Sequence, residues 1–156
     1  MTTKTNAMRL LEDAGIPYET ATYSVDESDL SGEHAVRELG IDPDTAFKTL
    51  VCRDEKGLCH VFCIPVSCEL NLKKCAAAAG TKRMDMIHVK ELLPLTGYLR
   101  GGCSPVGMKK KYPTCIDETA RLFDLIYVSA GVRGTFVRLD PLRLAELTNA
   151  AFCDLI

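Results

Sequence analysis

The sequence predicts a single mixed α/β domain in which short helices surround a largely antiparallel or mixed β-sheet. Segments with helical periodicity are short, and they are mixed irregularly with pairs of apolar segments joined by turn residues, a pattern typical of such sheets. The 156 residues include 47% hydrophobic and 26% charged residues, the balance of an ordinary globular domain. No repeat or long linker divides the chain, and the regular strand–helix alternation of doubly wound nucleotide-binding folds is missing.

The first part of the chain is predicted to hold two helices, a strand and a hairpin. Helices are expected over residues 5–14 and 31–39, because each begins at a Thr or Ser that can cap it and ends at a glycine;. The intervening "PYETATYSV" is rich in Thr and Tyr and predicts a strand. "AFKTLVCR" and "LCHVFCIPV" are two apolar strands, and the turn residues "DEKG" between them indicate a hairpin;.

The second part repeats this mixture. Asn71 caps a predicted helix over residues 71–79, a short strand follows near Met84 and Met86, and "HVKELLP" forms a helix that Pro94 ends;. "LIYVSA" and "TFVRL", separated by "GVRG", predict a second hairpin. Asp140 caps a last helix with Pro141 in its first position, a favoured arrangement;.

The net charge and the cysteine content argue against a protein that is basic overall and against a structural metal site. The net charge of −2 gives no overall basic field, so any contact with nucleic acid must come from a local patch. The eight cysteines lie in apolar segments without CxxC pairs, and the three histidines are scattered, which predicts a reduced, cytoplasmic protein without a structural metal. No cofactor is expected, and no apolar run is long enough to span a membrane.

Lys48 is the unusual residue of the first predicted hairpin. Strand alternation places it on one face with Ala46, Leu50 and Cys52, an otherwise apolar set;. A lysine there must reach water or find an anionic partner. Two interpretations follow: an edge-strand lysine that discourages aggregation, or a cation that points into a ligand cleft.

The stretch "GYLRGGCSPVGMKKK" is the candidate for the other half of a site. Gly101 and Gly102 allow a close approach of backbone to a ligand and can direct N–H groups at an oxygen, while Ser104 offers a hydroxyl and Pro105 stiffens the loop;. Neither dinucleotide-binding nor P-loop spacing is present. No histidine lies near Cys103 in sequence, so this residue is interpreted as packing rather than as a nucleophile.

A dense positive run follows the glycines. It consists of Lys109, Lys110 and Lys111, which Lys73 and Lys74 extend if they fold to the same side. A solvated face is one explanation of such a run. A glycine-lined cleft beside it suggests instead a phosphate-bearing ligand.

These motifs together resemble the YbaK/EbsC family of Cys-tRNA(Pro) deacylases, which are related to the editing domain of bacterial prolyl-tRNA synthetases. "GIDPDTAFKTLV", "NLKKCAAAAGTKRMDM", "TGYLRGGCSPVGMKKKYPTCID" and "IYVSAGVRG" follow one another at the spacing of that family. The resemblance covers nearly the whole chain and implies one editing domain over residues 1–156. It also implies that the sheet is barrel-like.

The resemblance further implies an enzyme that removes cysteine from mischarged tRNA(Pro), with the thiol of the cysteine attacking its own ester. The catalytic positions would be Lys48, Gly101 and Gly102. The substrate-binding positions would be Tyr23, Thr49, Cys103, Ser104 and Pro105, and the lysines named above would contact tRNA. Prolyl-tRNA synthetase is an expected partner.

The chain departs from the family pattern in ways that concern the amino-acid preference. Cys103 replaces an aliphatic residue, Ala130 and Val132 replace Gly and Lys, and Phe136 stands where some relatives carry an acidic side chain. Two alternatives therefore remain beside cysteine removal. One is deacylation of another small aminoacyl-tRNA such as Ala-tRNA(Pro), and the other is a non-catalytic module that binds tRNA or a synthetase.

Overall fold

The computed structural model describes residues 3–156, and in that range the chain forms five α-helices and eight strands. The helices are α1 (Asn6–Asp13), α2 (Gly32–Leu39), α3 (Leu72–Ala79), α4 (Val89–Thr96) and α5 (Pro141–Thr148). The strands are β1 (Glu19–Thr22), β2 (Phe47–Asp54), β3 (Cys59–Pro65), β4 (Met84–Met86), β5 (Thr114–Asp117), β6 (Ile126–Ser129), β7 (Thr135–Leu139) and β8 (Ala151–Cys153). Two short 3-10 helices cover Pro43–Thr45 and Glu118–Leu122.

The strands form two sheets. The smaller sheet has the order β1-β7-β6 and is antiparallel throughout. The larger has the order β4-β2-β3-β5-β8, in which β5 pairs in parallel with both β3 and β8. The mixed α/β class predicted from the sequence is confirmed. The strands do not close into a barrel, because β4 and β8 are the edges of the larger sheet. The two sheets are joined by the parallel bridge Ala46↔Tyr127 and pack against each other in one hydrophobic cluster.

The β2–β3 hairpin lies between the two largest hydrophobic clusters. Phe47 and Cys63 belong to a cluster that includes α1, α5 and the smaller sheet. Phe62 and Ile64 face the opposite way, toward α3 and Leu155. Strand alternation therefore gives this hairpin two buried faces, and it forms the rigid centre from which the candidate site is built.

Local sequence signals place the helices as predicted. The side chains of Thr5, Ser31, Asn71 and Asp140 each accept a hydrogen bond from a backbone N–H in the first turn. Both predicted hairpins and the strand around residues 84–86 are also confirmed. β1 covers only four residues of the longer strand predicted from "PYETATYSV".

The prediction that Pro94 ends the fourth helix is wrong. Helix α4 continues to Thr96 and ends at Gly97, whose φ is +86° and whose N–H donates to the Leu93 carbonyl. Proline lacks only its own N–H, and the Thr96 hydroxyl donates to the Leu92 carbonyl one turn earlier;. The last turn therefore keeps hydrogen bonds on both sides of the proline. None of the described helices is long and apolar enough to cross a membrane.

Candidate active-site cleft

A cleft of about 430 Å³ opens between β2, the start of α2, residues 86–92 and the glycine-rich loop. We call residues 97–108 the glycine loop. The cleft is of the size that proteins use for small molecules. Among the sequence-predicted residues, those that line it are Tyr23, Lys48, Thr49, Gly101 and Cys103.

Lys48 reaches the cleft from the middle of the protein. Its backbone pairs with Ile64 in β3, and its half-buried side chain lines the cleft. No carboxylate lies within 4 Å of its ammonium group among the described residues. Thr49 also lines the cleft, and its hydroxyl lies 3.7 Å from the buried Cys63 Sγ. The strand therefore presents an unneutralised cation to whatever enters the cleft.

The glycine loop needs its two central glycines for different reasons. Gly101 has φ +87°, a conformation that side chains with a Cβ disfavour, and a Cβ there would lie 3.3 Å from Leu30 Cβ;. Gly102 is buried, and a Cβ there would lie 3.0 Å from the backbone nitrogen of Arg133. Gly101 therefore brings bare backbone to the cleft, while Gly102 lets the loop pack on the "GVRG" turn.

Ser104 and Pro105 are buried residues of the glycine loop and do not line the cleft. Ser104 is completely buried, and its Oγ accepts a hydrogen bond of 3.1 Å from the N–H of Val106. Pro105 is buried beside it. The hydroxyl that was predicted to face substrate is thus used to shape the turn, because a buried polar group needs a partner within the protein.

Tyr98 fastens the loop to its surroundings. Its hydroxyl donates to the carbonyl of Val106. A Cβ added to Gly107 would lie 2.9 Å from the Tyr98 hydroxyl oxygen, and one added to Gly131 would lie 3.0 Å from the ring. Burial raises the pKa of Tyr98 to about 12, so the phenol keeps its proton and this hydrogen bond at physiological pH. The loop is therefore held in a fixed shape.

Cys103 lines the cleft but has no activated thiol. The residue is 8% exposed, and burial raises the pKa of its thiol to about 12. A thiolate is the nucleophilic form of cysteine, and it needs a neighbouring base or cation that lowers the pKa. The side chain thus forms part of the wall, in agreement with its interpretation as packing.

An aromatic cluster closes the side of the cleft formed by the smaller sheet. The Tyr23 ring lies 5.3 Å from the Phe136 ring and 6.5 Å from the His34 ring, measured between centroids. The Tyr23 N–H donates to the carbonyl of Gly134, which fixes the backbone below the ring. Tyr23 and Phe136 both contribute to the cleft lining.

Two parts of the cleft were missed by sequence reasoning. Met86, Val89 and Leu92 form an apolar wall, and the exposure of Met86 and Val89, 47% and 60%, is visible only in the structure. The start of α2 forms the opposite rim, where a Cβ on Gly32 would come within 2.5 Å of Val66. In the sequence, only the presence of Gly32 in the first turn of a helix indicates this close packing.

The predicted tRNA-binding lysines lie outside the cleft lining. The side chain of Lys109 packs against Gly97, since a Cβ atom added to Gly97 would lie 3.3 Å from Lys109 Cγ. Lys110 and Lys111 follow it and are exposed. Lys73 is exposed on α3, and Lys74 pairs with Asp154 at 2.9 Å. Of the five, only Lys74 is tied to a carboxylate within 4 Å.

The cysteines and histidines do not gather into a metal site. All eight cysteines are free, and across residues 3–156 no group of three His, Cys, Asp or Glu side chains is placed to hold a metal ion. The polar groups available in the cleft are the Lys48 ammonium, the backbone of the glycine loop and the side chains of other lining residues, namely Ser31, Glu33, His88, Arg100 and Ser129.

Comparisons with known proteins show the family of this chain. Residues 28–147 match the family described as "Aminoacyl-tRNA editing domain". The chain is 45% identical, over 97% of its length and 93% of the relative's, to an Enterococcus faecalis (strain ATCC 700802 / V583) protein named "Putative Cys-tRNA(Pro)/Cys-tRNA(Cys) deacylase EbsC". This match covers β2 and the glycine loop together.

Two solved structures have the same fold. A crystal structure of "a putative trans-editing enzyme for prolyl tRNA synthetase" superposes with a TM-score of 0.81 at 25% identity, and covers 98% of each chain. The structure of "hypothetical protein APE2540" superposes with a TM-score of 0.84 at 22% identity, and covers 94% of this chain and 96% of the other.

Proposed function

Because the chain belongs to the aminoacyl-tRNA editing domain family, we propose that it is a deacylase that removes cysteine from mischarged Cys-tRNA(Pro). The observation that carries this proposal is the composition of the cleft. Among the described residues it holds the cation of Lys48, which has no carboxylate within 4 Å, beside the bare backbone of Gly101, and burial raises the pKa of the Cys103 thiol in its wall to about 12. This arrangement suits a substrate that supplies its own nucleophile.

The cysteine ester can supply that nucleophile through its own thiol. The sulfur attacks the ester carbonyl carbon, a carbon–sulfur bond forms, and the bond from that carbon to the ribose oxygen breaks. The thiol proton ends on the ribose oxygen, so the products are tRNA with a free hydroxyl group and a four-membered thiolactone of cysteine, which water then opens. Holding the thiol against the carbonyl makes the reaction intramolecular, which raises the effective concentration of the nucleophile greatly.

The protein would stabilise the negative charge that develops on the carbonyl oxygen. The Gly102 N–H donates to the Leu99 carbonyl at 3.0 Å and is therefore occupied within the loop. We assign the donor role to the Gly101 amide, and to Gly102 the role of holding the loop. Preorganised backbone donors aimed at a developing oxyanion are a major source of catalysis. Lys48 would hold the ester or the terminal phosphate in place rather than remove a proton.

A panel of charged tRNAs tests the proposal. The purified protein is mixed with Cys-tRNA(Pro), Ala-tRNA(Pro) and Pro-tRNA(Pro), and the release of each amino acid is followed. We expect rapid loss of cysteine alone, because alanine and proline lack a thiol. Release of alanine instead would retain the reaction class and overturn the substrate. Release of none would favour a non-catalytic binding module.

The cellular setting forms a second part of the proposal. We infer that the whole chain, residues 1–156, acts as one editing domain in the cytoplasm and works beside prolyl-tRNA synthetase. We expect the cleft to take only the aminoacylated 3′ end, so the choice of tRNA(Pro) would depend on that partner. A pull-down at low salt, with and without tRNA, should recover the synthetase, and failure in both conditions would remove the partnership from the proposal.

A further inference from the structure

Two arginines lie together at the mouth of the cleft, outside the residues to which the sequence assigned a role. Arg100 lines the cleft on the glycine loop, and Arg133 lies on the turn that packs against that loop. Arg133 Nε donates to the Arg100 carbonyl at 2.8 Å, and Arg133 Cγ would lie 3.6 Å from a Cβ on Gly101. The two guanidinium groups are thus carried by one packed unit that also carries Gly101.

No carboxylate neutralises these two cations. Within the part of the chain that the structure describes, neither guanidinium has a carboxylate oxygen within 4 Å. Asp26 and Asp29 lie near Arg133 in a small adjoining hollow. Asp29 pairs with Arg37 at 3.3 Å, and Asp26 accepts a hydrogen bond from the Ser28 hydroxyl. The positive charge at the mouth therefore remains available to a ligand.

The geometry at Arg133 favours an anion that offers two acceptor oxygens. Its Nε donates to the Arg100 carbonyl, which limits rotation of the guanidinium. Neither terminal nitrogen has a hydrogen-bond partner among residues 3–156, so both can donate to a ligand. Guanidinium groups bind phosphate through paired hydrogen bonds of this kind, which the ammonium groups of Lys109, Lys110 and Lys111 cannot form. Those exposed lysines supply charge without a fixed direction.

We propose that Arg100 and Arg133 bind a backbone phosphate of the 3′-terminal strand of the tRNA and so set the depth at which the aminoacyl ester enters the cleft. This inference rests on the proposed function. Phosphate contacts fix the register of a nucleic acid without reading its sequence. Because Arg133 contacts the loop that carries Gly101, the phosphate would be positioned relative to the proposed oxyanion donor. Both arginines are positioning residues, and neither touches the reacting atoms.

The test compares a substrate with phosphates to one without. Arg100→Gln, Arg133→Gln and the control Arg143→Gln are assayed on Cys-tRNA(Pro) and on 3′-O-cysteinyl-adenosine. Arg143 is a matched control, because its guanidinium also reaches a backbone carbonyl, that of Gly15, at 3.5 Å but does not line the cleft. Circular dichroism checks that each variant folds.

For each mouth variant we expect kcat/KM on the tRNA to fall at least tenfold more than kcat/KM on cysteinyl-adenosine, mainly through KM. The slope of log kcat/KM against log salt should decrease by about 0.7 for each phosphate that is no longer bound. Arg133→Lys, which keeps the charge, should lose less than Arg133→Gln. Arg143→Gln should behave as the wild type on both substrates.

Equal losses on the two substrates, or wild-type values on both, would overturn the proposal. Equal losses would mean that the arginines only hold the loop. If the wild type cleaves neither substrate, the proposed function fails, and the affinity of each variant for uncharged tRNA then decides the role of the arginines. A tenfold weaker affinity in the Arg100→Gln and Arg133→Gln variants alone would support phosphate binding, and unchanged affinity would contradict it.

Discussion

Gly102 lies directly against the backbone of Arg133. A Cβ atom on Gly102 would come within 3.0 Å of both the Arg133 nitrogen and the Val132 carbonyl carbon. Both are backbone atoms, so rotation of a side chain could not relieve these contacts. The glycine loop and the "GVRG" turn are therefore one packed unit. The position of Gly101 in the cleft depends on this contact.

Replacement of Gly102 by alanine should separate the loop from the turn. We expect the Gly102→Ala variant to lose about 1–3 kcal/mol in free energy of unfolding, the usual cost of overpacking, and to lose at least tenfold in deacylation rate. Urea denaturation and single-turnover deacylation measure the two effects. Gly57→Ala is the control, because Gly57 has φ +82° with nothing within 4 Å. It should cost stability without slowing deacylation, and equal slowing in both variants would contradict the account.

The Asp54–His60 pair should make stability depend on pH. His60 Nε2 lies 2.9 Å from Asp54 Oδ2, and both side chains are buried. The hydrogen bond to His60, followed by those from the Leu58 and Lys56 amides, lowers the pKa of Asp54 below its ordinary value of 3.8. The ionised carboxylate therefore stabilises the fold above pH 3.8, and this contribution is lost as the pH falls through the lower folded pKa.

Asp54→Asn should thus be destabilising at pH 7, and the difference from the wild type should shrink as the pH falls below 3.8. Urea denaturation at several pH values measures it. Asp85→Asn removes a surface pair with Arg83 whose side chains are 71% and 60% exposed, and should have little effect. A difference between wild type and Asp54→Asn that stays constant with pH would show that the carboxylate charge is not the stabilising feature.

Cys103 should be dispensable for the chemical step. Because burial raises the pKa of its thiol to about 12, the reactive thiolate is scarce at neutral pH. We expect Cys103→Ala to keep at least a tenth of the wild-type single-turnover rate, and iodoacetamide to modify Cys103 slowly in the folded protein, as followed by mass spectrometry. A rate reduced a thousandfold or more would identify Cys103 as the nucleophile and would remove the substrate-thiol mechanism.

The thiol of the substrate should be indispensable. S-methylcysteinyl-tRNA(Pro) keeps the shape of the cysteine ester but has no nucleophilic sulfur with a proton to transfer. We expect it to be cleaved at least a hundredfold more slowly than Cys-tRNA(Pro), as measured by release of the labelled amino acid, while it competes for binding. Comparable cleavage of the two would indicate attack by water.

Local interactions made much of the fold predictable. Asn71 and Asp140 each cap a helix with their own side chain, and the β2–β3 hairpin joins adjacent segments, so these elements were visible in short stretches of sequence. β5 and β8 were not, because "TCID" and "AFC" are too short to show alternation and pair in parallel with distant strands. Parallel pairing depends on contacts between segments far apart in the chain.

The candidate site, like the fold, was predictable only in part. The alternation of β2 and the glycine pair pointed to Lys48 and Gly101, both of which line the cleft. The burial of Ser104 and the contact between Arg133 and Arg100 depend on how two loops pack. Packing between two loops leaves no periodic pattern in the sequence. The prediction that the Ser104 hydroxyl faces a substrate rested on residue type alone.

The most direct test of the account is the deacylation of Cys-tRNA(Pro) by the wild type, by Lys48→Ala and by the control Lys56→Ala, measured in single turnover under identical conditions. Lys56 is exposed in the turn between β2 and β3, so its loss tests the removal of a lysine away from the cleft. We predict rapid release of cysteine by the wild type and by Lys56→Ala, and at least a hundredfold slower release by Lys48→Ala with unchanged folding. Release by Lys48→Ala at the wild-type rate would contradict the claim that the cleft around Lys48 is the site of deacylation.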